Sequence, residues 1–150
     1  MEIRTLDERP TIAIRTTTTG ERLPEALGEG YGKIMEYLER TPGVEAAGPP
    51  FSLYHNMDMD HLDVEMGFPV SGTPRPEGGI GPSRIPGGRA VVAIHIGPYE
   101  TLEETYTKAM SYVEREGLQP GGFMYEMYLN DPDEVPREQL QTEVYFPLRE

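Results

Sequence analysis

Tyr31-Gly32-Lys33-Ile34-Met35-Glu36-Tyr37-Leu38-Glu39-Arg40 returns 75 residues later as Tyr106-Thr107-Lys108-Ala109-Met110-Ser111-Tyr112-Val113-Glu114-Arg115. Six of the ten positions are identical, and Ile34/Ala109 and Leu38/Val113 stay apolar. Self-similarity of this kind marks a repeated structural unit, so this pair decides the fold. The match extends outward in the same order. Ile12-Ala13-Ile14 aligns with Val92-Ala93-Ile94 at an offset of 80. Gly48-Pro49-Pro50-Phe51-Ser52-Leu53-Tyr54-His55-Asn56 aligns with Gly122-Phe123-Met124-Tyr125-Glu126-Met127-Tyr128-Leu129-Asn130 at 74. Glu65-Met66-Gly67-Phe68-Pro69-Val70 aligns with Glu143-Val144-Tyr145-Phe146-Pro147-Leu148 at 78. Small insertions in loops account for the drift.

Each copy reads as strand–helix–strand–strand. Residues 11–17 and 90–96 are short and β-branched, the pattern of a strand. The second segment is amphipathic: Leu102, Tyr106, Ala109, Met110 and Val113 recur at helical spacing, with Leu23, Ala26, Leu27, Ile34 and Leu38 as their counterparts. Thr101 with Glu104 predicts a capping box, and Gly117 a helix stop. Residues 51–56 with 62–70, and 123–129 with 140–148, predict two further strands per copy. Residues 71–88 hold ten Gly and Pro and read as a linker. The expected architecture is one α+β domain over 1–150: repeat 1 about 1–70, linker 71–88, repeat 2 89–150. Its antiparallel sheet carries the helices on one face, with a central groove between the copies.

Composition narrows the function classes. The 150 residues include no Cys, which excludes disulfides, thiolate catalysis and cysteine-ligated metals. Acidic residues outnumber basic ones 26 to 13, for a net charge of −13. Affinity for nucleic acid draws on Lys and Arg neutralising phosphates, so no direct nucleic-acid binding is expected. The first residues lack a basic segment followed by an apolar run, and no stretch is long and apolar enough to span a bilayer. A cytoplasmic protein without a membrane association is the expectation.

Strand alternation sorts side chains into two faces. One parity collects Ile12, Ile14, Val92, Ile94, Phe51, Leu53, Leu62, Val64, Met66, Phe68, Tyr125, Met127, Val144 and Phe146 beneath the helices. The other gathers Arg15, Ser52, Tyr54, Asn56, Glu65, His95, Met124, Glu126, Tyr128, Glu143 and Tyr145. The second set mixes aromatics with carboxylates. Such a lining suits a flat, amphipathic, often cationic ligand. Glu126 stands out because a carboxylate inside the apolar run 123–129 requires a reason. Its counterpart in the first copy is Ser52.

At these residues the chain resembles the GyrI-like small-molecule-binding domain, the effector-binding domain of bacterial transcription regulators. The most specific pieces are Ile94-His95-Ile96-Gly97-Pro98-Tyr99, Tyr125-Glu126-Met127-Tyr128-Leu129-Asn130-Asp131-Pro132 and Glu143-Val144-Tyr145-Phe146-Pro147-Leu148. The resemblance implies a duplicated strand–helix–strand–strand (SHS2) fold; with no helix-turn-helix read ahead of the domain, a departure from the regulators, a stand-alone member is the expectation. It also implies that Glu126 meets the positive charge of multidrug-type aromatic cations while aromatic side chains sandwich them. A Glu-x-Tyr pair on the last strand matches as Glu143 and Tyr145. The family tends to place Trp among its groove aromatics, and this chain has none.

Ligand-binding residues are therefore expected at Glu126, Tyr128, Tyr54, Tyr145, Glu143, Met124 and His95, without a cofactor or metal. The first reading is a non-enzymatic small-molecule-binding protein. The resemblance leaves two others open. One is a hydrolase of cyclopropane-bearing alkylating toxins in which Glu126 and Tyr128 position or activate water. The other is a protein partner such as DNA gyrase or a separate regulator. Asp58, Asp60, His61 and Asp63 fall where a hairpin should turn and read as an acidic solvated loop. The glycines around Gly28 lack phosphate-loop spacing, and no serine elbow supports a Ser-His-Asp triad.

Overall fold

The computed structural model describes residues 1–149. Its elements are, in order, β1 (Glu2–Leu6), β2 (Arg9–Thr18), α1 (Leu23–Glu39), β3 (Glu45–Ala46), β4 (Phe51–Tyr54), β5 (Leu62–Ser71), β6 (Ile80–Ile85), β7 (Gly88–Ile96), α2 (Leu102–Arg115), β8 (Met124–Tyr128) and β9 (Gln141–Pro147). One-turn 3-10 helices stand at Tyr99–Thr101 and Arg137–Gln139. No helix of the described residues is long and apolar enough to cross a membrane.

The chain divides into two compact units. One is Glu8–Pro86; the other joins Met1–Asp7 to the chain from Gly87 onward. Within the Glu8–Pro86 unit the strand order is β4-β5-β2-β6, with β3 against the end of β5. Within the other unit it is β1-β7-β9-β8. The pairings inside each unit are antiparallel. Each unit is thus α+β, with one helix against its sheet.

Three strands were absent from the sequence expectation: the two-residue β3, and the longer β6 and β1. The stretch 71–88 is not a linker throughout: β6 pairs with β2 from Arg9↔Ile85 to Ile14↔Ile80. Its Gly and Pro content hid it, yet that content has a physical reason. Gly78 and Gly79 take positive φ (56° and 89°) at the turn where Glu77 bridges Ile80, and Pro82 is tolerated because β6 is the outer strand of its unit. The other longer addition is β1, which pairs with β7.

The helices form where the repeat predicted them. Ile12, Ile34, Tyr37, Val44, Val70 and Ile80 make a buried cluster under α1, with Ile14, Leu38 and Phe68 packed on it. Full burial of a side chain such as Ile34 contributes about 2 kcal/mol. The copies share an aromatic contact: Tyr31 meets Phe68 edge-on at 6.0 Å and Tyr106 meets Phe146 at 6.2 Å. Two details differ from expectation. Met110 is exposed rather than in the core. Thr101 forms no capping box, because its hydroxyl donates to the Pro98 carbonyl (2.9 Å) within the 3-10 turn. At Gly67 a Cβ would run into the Ile12 carbonyl oxygen, so only glycine permits the close approach of β5 to β2.

The register corrects the face assignment. Side chains directly opposite each other in a ladder share a face. Glu65 and Glu143 are repeat equivalents; Arg15 stands opposite Glu65, and Ile94 opposite Glu143. Arg15 therefore corresponds to Ile94, an offset of 79, and His95 corresponds to Thr16. The apparent match of Ile12-Ala13-Ile14 with Val92-Ala93-Ile94 is out by one residue, which reverses the face. Val91 and Ala93 share the helix-side face with Val144 and Phe146, while Val92 and Ile94 point the other way, Ile94 with 55% exposure. Likewise Phe51, Leu53, Tyr125 and Met127 lie opposite Gly67, Glu65, Tyr145 and Glu143, on the face away from the helices.

Candidate functional site

β8 and β9 set the site. Tyr128 stands opposite Thr142 and Glu126 opposite Val144, and His95 stands opposite Thr142 from β7. Met124, Glu126, Tyr128, Thr142 and His95 therefore share the helix-side face of their unit. Tyr54 takes the equivalent place in its own unit, opposite Val64. Glu143 and Tyr145, expected beside Glu126, are on the reverse face. They line up with Met127 and Tyr125, and Tyr145 stacks on Tyr125 with ring centres 4.5 Å apart. The structure thus separates the seven expected residues rather than gathering them on one face.

Glu126 is 2% exposed. Its Oε1 accepts a hydrogen bond from the Tyr128 hydroxyl at 2.8 Å. Its Oε2 has no hydrogen-bond partner, and neither has the hydroxyl of the fully buried Thr142. Burial pushes the Glu126 carboxyl up to about 7, against the opposing effect of the Tyr128 bond. An ionised carboxylate removed from water loses solvation that one hydrogen bond does not replace. The site holds a latent negative charge with an open acceptor.

Tyr99 connects this interior to solvent. Its ring meets Tyr128 edge-on, 5.6 Å between centres, and it is 36% exposed. Burial first, then the charges of Asp131 and Glu126, hold its phenol above the usual range. A line of aromatic surface runs from solvent over Tyr99 and Tyr128 to the carboxylate.

The other expected residues are held by specific partners. His95 places Nδ1 2.6 Å from Thr105 Oγ1, and Nε2 3.0 Å from both the Pro98 carbonyl and Thr101 Oγ1. It ties the 3-10 turn and α2 to β7. Glu143 accepts from the Tyr145 hydroxyl at 2.9 Å and from Arg4 at 3.4 Å. Ser52, the counterpart of Glu126, lies 3.0 Å from the Tyr31 hydroxyl, which donates to the Phe51 carbonyl. Asp63 is clamped by Arg15 through two bonds of 2.7 and 2.9 Å. Among the described residues no group of acidic and His side chains gathers to hold a metal ion.

Tyr99 and Thr142 were missed as site residues. Tyr99 closes the quoted Gly97-Pro98-Tyr99 run, but nothing in a loop tripeptide says which way its ring turns. Thr142 follows from Glu126 only when the β8–β9 register is known.

Residues 1–149 match the model of the GyrI-like small molecule binding domain family. Among solved structures, the C-terminal domain of EcmrR is similar at 25% identity and a TM-score of 0.83, over 99% of this chain and 96% of that one. Against EcmrR in its DNA complex the chain spans 57% of the length. SAV2435, solved bound to tetraphenylphosphonium, is similar at 10% identity and a TM-score of 0.70, over 99% and 93% of the two chains. A hydrolase from Listeria innocua is similar at 14% identity and 0.63, over 99% and 91%. The last two likenesses concern the fold alone.

Proposed function

The chain belongs to the GyrI-like small-molecule-binding family, and from that footing we propose that it binds hydrophobic aromatic cations, with Glu126 as their counter-charge. The observation that carries this reading is the buried Glu126 carboxyl, one oxygen held by Tyr128 and the other without a partner. A cation entering beside it would replace lost solvation with a direct charge pair. The rings of Tyr99 and Tyr128 offer aromatic surface to the ligand's own rings, and their faces attract positive charge. The lipophilic cation held by SAV2435 is a ligand of this chemical kind.

The test is a titration of tetraphenylphosphonium and a cationic rhodamine into wild type and Glu126→Gln. Glu126→Gln should weaken both by at least about tenfold, because it removes the charge and keeps the shape. Equal affinity in both proteins, or no binding to wild type, would sink the reading.

A second reading, hydrolysis of cyclopropane-bearing alkylators, draws on the same side chain. A carboxyl raised to about 7 is matched to general-base work at neutral pH. Mass spectrometry of such an alkylator incubated with the protein would show water added to the opened ring, and Glu126→Gln should abolish that product. A role against a basic protein partner such as gyrase draws only on the net charge of −13. A supercoiling assay without inhibition would count against it.

A further inference from the structure

Glu126 Oε2 is not the only polar atom left open on this face. Thr142 Oγ1, on the neighbouring strand, is also buried without a partner. Because Glu126 pairs with Val144 and Tyr128 with Thr142, Glu126 and Thr142 are diagonal neighbours on one face. Such positions lie roughly 7 Å apart between backbones, within reach of a single polar group between their side chains. His95, on the other side of Thr142, is occupied by Thr105, Pro98 and Thr101. Two open polar atoms at diagonal positions of one face are not explained by charge pairing alone. A quaternary cation has no N–H to give and would leave both atoms without hydrogen bonds.

The geometry points to a ligand whose charged group carries at least two N–H bonds, an aryl-bearing primary ammonium or amidinium rather than a permanently quaternary cation. This inference rests on the proposed cation-binding role and adds the chemistry of the head group. One N–H donates to Glu126 Oε2 and a second to Thr142 Oγ1, while the ligand's rings lie against Tyr99 and Tyr128. Thr142 is then a specificity-determining residue that selects among cations.

Biphenylmethylammonium and its N,N,N-trimethyl counterpart test this, since they share charge and rings and differ in N–H. Isothermal titrations use wild type, Thr142→Val, Thr142→Ser and Glu126→Gln, each first checked for a native thermal melt. Wild type is expected to prefer the primary ammonium by about tenfold, the usual size of one hydrogen bond to a charged group. Thr142→Val should remove most of that preference without altering trimethylammonium affinity, and Thr142→Ser should retain it. A trimethyl form that binds wild type as tightly, or a preference undiminished in Thr142→Val, overturns the head-group inference and leaves cation binding standing. Failure of both compounds to bind wild type, or binding of both by Glu126→Gln with wild-type affinity, overturns the cation-binding role and this inference with it.

Discussion

The Tyr128 hydroxyl donates to Glu126 Oε1 across 2.8 Å, from two residues along the same strand. The two side chains leave β8 on the same face, so the bond spans one pleat repeat and needs no other element. It fixes one carboxylate oxygen and turns the other toward a place without a protein donor. Tyr128→Phe should therefore raise the Glu126 pKa further above about 7 and cost about 1 kcal/mol of stability at neutral pH. Side-chain carboxyl NMR through a pH titration measures the first effect and urea unfolding the second.

Ionisation of Glu126 opposes folding. Its pKa rises from 4.5 to about 7 in the folded chain, so between those values the folded state binds more protons than the unfolded one. This group's contribution to stability is complete below pH 4.5 and is lost as pH rises through about 7. The full effect is about 3 kcal/mol. Glu126→Gln should flatten that part of the profile, so the variant gains on wild type as pH rises. Urea midpoints at pH 5 and pH 8 provide the comparison; parallel profiles would place the carboxyl in an ordinary, solvated setting.

Cation binding should release protons. Near pH 6 most Glu126 carboxyls are protonated, and a cation that pairs with the carboxylate must expel that proton. Affinity is expected to rise by up to about tenfold from pH 6 to pH 8 and then level off. Calorimetry in buffers of different ionisation enthalpy counts the protons, about half of one per ligand near pH 7. The count should fall to zero in Glu126→Gln.

Gly67→Ala should be among the most damaging single-methyl changes in the molecule. The added carbon meets the Ile12 carbonyl oxygen and Ala13 Cα, both backbone. Relief requires β2 and β5 to separate, at a cost of about 3 kcal/mol or more. Gly28→Ala has nothing within reach of its new carbon and should stabilise α1 by about 1 kcal/mol. Thermal melts of the two variants should move in opposite directions.

The repeat was legible because the helices carry it: an amphipathic helix has one buried stripe, and the stripe forces similar residues to similar places. Tyr31 and Tyr106 illustrate this, since each packs on the matching Phe of its own unit. Strand parity was not legible. Phe51, Ser52, Leu53 and Tyr54 are all buried, as are Met124, Tyr125, Glu126 and Met127. Strands covered on both faces lose the polar–apolar alternation that would reveal which side is which. The run Val91-Val92-Ala93 is buried throughout for the same reason, and a three-residue similarity then settled one position out. Glu126 was visible regardless of parity, because a lone acid in an apolar strand stands out on either face. Glu143 and Tyr145 were not separable from it without the register.

The amino-terminal strand belongs to the unit built from the later part of the chain. β1 pairs with β7 of the second copy, whereas β6, from the stretch between the copies, completes the first. A gene cut at the midpoint of the repeat would strand β1 away from the sheet it borders, and the Glu8–Pro86 half alone would keep all its own strands. During synthesis that half has every strand it needs once Pro86 has emerged, while β1, made first, waits for β7. Among the strands described, the first along the chain is thus a latecomer to its sheet.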